Sequence, residues 1–456
     1  MKRRFGRRAR LILALAVAVV TAVAAAPGPA LAAAPTWPQF GHDARLSGAN
    51  PDEKIITRNT VAGLGLEYVA FGPADPTFGG ISQSSPAVVG NVAYIGTNSG
   101  NLLAWPATGC GSDQCQPLWT AQLSNGAFTT PAVANGLVFI SSAGSVENRI
   151  GRLYAFRAAG CGRPTCLPVW SAPVPNGGSS PTVADGVLYI VSSDGRLLAF
   201  TAAGCGRATC APLWSGNLKS SAEAAPAVAN GLVYATSSDR LVAFRAAGCG
   251  QPTCPPVWAS IPVAGSDTGA GLIQQVGPTV SGDKVYFASV DFSSPDGKTG
   301  TIYAYSSSAC AGTTNLNCTP LWVAHPSDFD SIGANLTVAD GVLYGSAVGF
   351  LFAFDANGCG QPVCSWLWFG GLGTSSGTGA SPSVAGGVVY YTQNDGRIGG
   401  FDARGCGDIA CSPLWSTVTQ PFEAFMTTPV IVNGRLYVAG PAVGAQPTMW
   451  VYRLQS

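Results

Sequence analysis

Fourteen cysteines, two histidines and a thin scatter of acids carry whatever chemistry this 456-residue chain can do. The cysteines fall into seven local pairs. Six pairs have four intervening residues: Cys110 with Cys115, Cys161 with Cys166, Cys205 with Cys210, Cys249 with Cys254, Cys359 with Cys364, and Cys406 with Cys411. The seventh, Cys310 with Cys318, has seven. Zinc would need two pairs to converge on one ion, but each pair belongs to a different repeat. Covalent haem would need Cys-x-x-Cys-His, which does not occur. Seven structural disulfides are the expectation, and an oxidising compartment permits them.

His42 and His325 are too few for a histidine-rich metal site or an ordinary Ser-His-Asp triad. No Gly-x-Ser-x-Gly elbow or phosphate-binding loop stands between a strand and a helix. Six polar residues, Glu223, Gln274, Gln275, Asp328, Asp330 and Glu423, fall in connections between repeats. Convergent acids and amides of this kind could bind a cation or orient a substrate, or else cap strand ends at a wet rim. Asp194, Asp239 and Asp395 read as turn formers.

The elements that position these residues are strands. Glycine and proline are abundant, charged residues make up 10%, and valine, tyrosine, phenylalanine and tryptophan dominate the apolar runs. The chain repeats every 44 to 50 residues or so. One copy runs from Ser180-Pro181-Thr182-Val183-Ala184-Asp185-Gly186 through Val187-Leu188-Tyr189-Ile190. It continues as Gly195-Arg196-Leu197-Leu198-Ala199-Phe200 and ends at Pro212-Leu213-Trp214. Asp185-Gly186 and its counterparts Asn135-Gly136, Asn230-Gly231 and Asn433-Gly434 suit tight hairpins. An unbroken apolar second strand marks burial on both faces, as in blades stacked around a ring.

The expected fold is therefore all-β: a β-propeller of four-stranded antiparallel blades, eight by this count and seven if the divergent fifth copy is misread. The last copy stops after its third strand, at Met449 to Leu454. Leu64 to Phe71 is expected to supply the missing fourth strand and close the ring, which removes two aggregation-prone edges.

Gly-x-Leu-x-Ala-Phe followed by a late tryptophan resembles the repeat of pyrroloquinoline-quinone (PQQ) type propellers. The resemblance implies that Trp119, Trp170, Trp214, Trp258, Trp322, Trp368 and Trp415 dock against neighbouring blades. Trp37-Pro38-Gln39-Phe40-Gly41-His42-Asp43 is similar to the segment that precedes many such propellers. The family includes quinoprotein alcohol dehydrogenases, which hold PQQ and calcium. It also includes propellers that bind no quinone, among them the scaffold lipoprotein of the outer-membrane barrel-assembly machine. The adjacent-cysteine disulfide of the dehydrogenases is missing here. The Asp that usually follows the Ala-aromatic pair survives as Asp355 and Asp402, with Arg157, Thr201, Arg245 or Ser306 elsewhere.

Residues 1–32 read as a cleaved export signal by the Sec or the twin-arginine route, residues 33–63 as a lead-in, and residues 64–456 as a single propeller domain. Six bases precede an apolar run, and Ala30-Leu31-Ala32 offers the cleavage pattern. Removing those bases from the formal +1 leaves about −5, which argues against nucleic acid. The expectation is a secreted monomer without a transmembrane anchor. The preferred role is non-catalytic, a binding or scaffold module that meets a protein or glycan through its inter-blade loops. The alternative is a soluble PQQ- and calcium-dependent dehydrogenase acting on alcohols or sugars.

Overall fold

A computed structural model describes residues 1, 36–73, 84–127, 129–144, 149–220, 223–262, 274–291, 299–312, 316–325, 332, 334–347, 349–373, 379–419, 427–441 and 446–455. The export-signal reading falls outside these residues. Residues 35–456 form one compact unit.

Eight antiparallel sheets follow one another along the chain, each built on four strands. Blade 3 is representative. Thr182–Ala184 pairs with Val187–Ser192, which pairs with Arg196–Thr201, which pairs with Trp214–Asn217. The blades start at Ala87, Ala132, Thr182, Ala227, Thr279, Thr337, Ser383 and Val430, and we number them 1 to 8 in that order. First strands of consecutive blades touch one another, and Ala87–Val89 touches Val430–Val432, so eight first strands ring a common axis. The count is eight, not seven.

Blade 8 is assembled from both ends of the chain. Its third strand, Pro447–Leu454, pairs with Leu64–Phe71. Arg435 clamps the junction with two bonds to Glu67, at 2.6 and 2.8 Å. Second and third strands supply the core: Leu188, Ile190, Leu198 and Phe200 of blade 3 are almost wholly buried against Phe139, Leu153 and Trp170 of blade 2. Apolar packing between blades on both faces explains why these strands carry no polar alternation. Among the described residues the helical content is slight, Val61–Gly63 and Ser307–Ala311. No helix there is long and apolar enough to cross a membrane.

A hydroxyl relay ties the blades together. Tyr94, Tyr189, Tyr286, Tyr344 and Tyr437 occupy one position of the second strand. Each donates its hydroxyl to an alanine carbonyl of the next blade: Ala158, Ala246, Ala356, Ala403 and Ala107 respectively. Burial raises Tyr94 and Tyr189 to about 12, so the donors stay protonated.

Candidate functional site

The ring has two unlike faces. On one lie the turns between first and second strands together with the cysteine hairpins; on the other lie the connections between blades. We call them the hairpin face and the loop face.

The hairpin face is uniform. Every first-to-second-strand turn has two residues, from Gly90-Asn91 in blade 1 to Asn433-Gly434 in blade 8. All seven cysteine pairs are joined. Each hairpin also reaches backward, placing the chain at or just before its second cysteine parallel to the outer strand of the preceding blade. Ser215–Gly216 pairs with Thr253–Cys254, and Phe369–Gly370 with Ala410–Cys411. Val69–Ala70 pairs with Gln114–Cys115, Val323–Ala324 with Val363–Cys364, and single bridges join Thr120 to Thr165, Ser171 to Thr209 and Ser260 to Cys318. The disulfides therefore stiffen clasps that cover outer edges at seven seams. Tryptophans sit beneath several clasps: a Cβ at Gly204 would come within 2.6 Å of Trp170, and at Gly248 within 2.6 Å of Trp214.

The seam between blades 7 and 8 has no cysteine hairpin, because blade 8 is closed by the chain ends. Residues 51–63 take its place. Ile56 and Val61 are wholly buried in a cluster with Tyr390 of blade 7 and Leu436 of blade 8. Glu53, itself buried, accepts from Ile55 N at 2.7 Å, Ile56 N at 3.1 Å and Gly434 N at 3.0 Å.

Residues 37–50 encircle the axis as a strap bonded once or more to every blade. The carbonyls of Trp37, Pro38, Ala44, Arg45, Ser47 and Gly48 accept from the N–H groups of Val88, Val133, Val228, Val280, Val338 and Val384. Gln39 Oε1 accepts from Val183 N at 2.9 Å, and Asn50 Nδ2 donates to Ile431 O at 2.8 Å. The midpoint of each first strand would otherwise leave a backbone group unpaired at the axis. Gly48, with φ of +69°, lies so close that a Cβ would meet Thr337 Oγ1 at 2.1 Å. Asp43 shapes the strap by accepting from Arg45 N and Ser47 N. His42 lies edge-on to Trp37 with ring centroids 5.0 Å apart, and its Nδ1 is buried without a hydrogen-bond partner. Burial holds its imidazole below the ordinary value, with Asp43 and Asp52 opposing that shift.

Beside the strap, at the axial mouth of the hairpin face, lies a depression of about 550 Å³ lined by Ser47, Asn50, Lys54, Val338, Asp340 and Gly386. Glu53 also borders it, but its carboxylate is already committed to three N–H groups, and Lys54 Nζ donates to Pro51 O at 2.6 Å.

Of the six residues singled out in the inter-blade connections, Glu223, Gln274 and Gln275 are described and belong to the other face. Glu223 is exposed. Gln274 and Gln275 form a short strand against Val290 and Ser289, where only the backbone is described. Asp328, Asp330 and Glu423 lie outside the described residues. Asp194 pairs with Arg196, Asp239 with Arg240 and Asp395 with Arg397, each within its turn. His325 is exposed, with Nδ1 3.1 Å from Thr301 Oγ1. Among the described residues no group of three His, Cys, Asp or Glu side chains could hold a metal ion. Every cysteine is in a local disulfide, so no adjacent-cysteine bridge is available either.

The signal that sequence reading passed over was the tyrosine recurring within an apolar strand, since a buried hydroxyl demands a partner. The clasping role of the cysteine hairpins was likewise invisible in their spacing.

Eight four-stranded blades with these repeats fit a PQQ-type β-propeller. Residues 168–316 match the PQQ_2 family model, described as outer membrane protein assembly factor BamB. Among solved structures, BamB from Moraxella catarrhalis is 14% identical, with 85% of this chain and 99% of that one covered and a TM-score of 0.58. The computationally designed Ika8 protein is 13% identical, covering 85% of this chain and 100% of its own, at 0.56. Sqt1 of Saccharomyces cerevisiae is 10% identical, covering 89% and 100%, also at 0.56. No curated protein matches the sequence. At such identities the likeness is one of fold, and a designed protein shares it.

Proposed function

We propose that this chain is a secreted, non-catalytic PQQ-like propeller that binds a protein or glycan partner through its loop face. The observation that carries this reading is the contrast between the faces. The hairpin face keeps two-residue turns throughout, whereas the connections between blades vary widely. Six residues, 176–181, separate the last strand of blade 2 from the first of blade 3; nineteen, 260–278, separate those of blades 4 and 5. A rigid frame carrying loops of different length and sequence is how binding surfaces are commonly built. The match to a family described by an assembly factor supports a protein-binding role, and the seven disulfides support export.

The test is site-specific photo-crosslinking in the native host. Probes at Asn176, Lys219 and Glu223 on the loop face are expected to capture a discrete partner, while probes at Leu167 and Gln361 on the hairpin face capture no other protein species. Capture from the hairpin face alone, or from neither face, would overturn the reading.

A further inference from the structure

We propose that the hairpin face is self-complementary and pairs two copies of this chain into a twofold dimer, leaving both loop faces outward. Three observations converge on it.

The first is charge. The position that closes the third strand holds Arg157 in blade 2 and Arg245 in blade 4, but Asp355 in blade 6 and Asp402 in blade 7. The tips of the cysteine hairpins repeat the contrast, with Arg163 and Arg207 against Asp408. All four arginines are exposed, and among the described residues none forms an ion pair. The described acid on this face of blades 2 to 4 is Asp185, in the axial turn. Across the axis, Asp402 is paired with both Arg58 and Arg404, so the acids of blades 6 and 7 that form no ion pair among the described residues are Asp340, Asp355 and Asp408. Blades 3 and 7 are four apart in a ring of eight, so the face has a basic and an acidic pole.

The second is an apolar annulus. The residue before each blade-docking tryptophan is exposed in six blades: Leu118, Val169, Leu213, Leu321, Leu367 and Leu414, at 39 to 54%. Exposed aliphatics scattered singly need no explanation, but these six recur at one repeat position around the ring, interrupted at blade 4, where Val257 is partly buried, and at blade 8. Near the basic pole, Arg157, Leu167 and Val169 line one depression of about 240 Å³.

The third is shape. Two-residue turns in every blade and cysteine hairpins of nearly constant length give the blades a regular outline on this face. A twofold operator perpendicular to the ring axis brings each basic pole onto the other copy's acidic pole, twice, while annulus meets annulus. The aliphatics supply buried area, and the poles fix the rotation. If the loop face binds as proposed above, the dimer presents it twice and gains avidity.

The experiment is light scattering on the oxidised full-length mature protein across concentration and salt. A dimer mass is expected at low salt, falling towards monomer as salt rises. Arg157→Glu/Arg245→Glu and Asp355→Arg/Asp408→Arg should each halve the mass while keeping the native circular dichroism and melting temperature. Mixing the two variants should restore the dimer, because the exchanged signs are again complementary. A monomer at every attainable concentration, dimers that survive both variants, or a mixture that stays monomeric would overturn the proposal. The loop-face reading would survive each of those results, since its crosslinks do not depend on dimerisation.

Discussion

Glu53 and Gly434 are 381 positions apart in the chain, yet the Glu53 carboxylate accepts the Gly434 N–H at 3.0 Å. The bond ties the N-terminal segment to the turn of the last blade, at the seam that has no disulfide clasp. Glu53→Gln keeps the size and removes the charge, placing an amide donor among three backbone donors. Losing charge-assisted bonds to a buried group costs about 1.5–3 kcal/mol. Denaturant titration of the oxidised protein should show that loss, with faster hydrogen exchange confined to blades 7 and 8.

The strap makes a second prediction. Gly48→Ala forces a side chain against Thr337 in a left-handed backbone conformation. Overpacking and strain together should destabilise by about 2–4 kcal/mol. Gly186→Ala, where a Cβ meets nothing within 4 Å, shares the positive φ without the clash and should cost about 1 kcal/mol. Equal losses in the two variants would contradict a tightly seated strap.

Removing a clasp tests the disulfides. The double substitution Cys205→Ser/Cys210→Ser opens a six-residue loop, worth about 2 kcal/mol by the chain-entropy model. Because the hairpin also covers Ser171 of blade 2, exchange protection should fall on both sides of that seam. A change confined to blade 3 would show the bridge to be merely local.

Acid sensitivity follows from His42. Burial lowers its pKa in the folded state below the unfolded value near 6.5, so the unfolded chain binds the extra proton first. That contribution to stability is complete above the unfolded value and is lost as pH falls through the folded one. His42→Gln should flatten the stability profile below pH 6.5 or so while leaving the neutral plateau within about 1 kcal/mol. An unchanged acid limb would contradict the burial of this imidazole.

Much of the architecture was legible because it is written in side chains. Repeated Gly-x-Leu-x-Ala-Phe strings, paired cysteines and an incomplete final copy led to eight blades and to Leu64–Phe71 as the closing strand. The strap was not legible, because most of its bonds are made by backbone carbonyls that any residue carries. Gln39 and Asn50 are its exceptions, and no periodicity marks them. Spacing likewise shows that Cys205 can reach Cys210 but not that Thr209 will lie on Ser171. Of the inter-blade candidates, Glu223 is placed at the surface, while Asp328, Asp330 and Glu423 belong to connections outside the described residues.

The central claim, a propeller used for binding and not for quinone chemistry, is tested most directly by titrating the purified, oxidised mature protein with pyrroloquinoline quinone in the presence of calcium. Absorbance and thermal shift report together. The account predicts no saturable spectral change and no stabilisation. Stoichiometric binding that raises the melting temperature, coupled to dye-linked oxidation of an alcohol or sugar, would contradict it.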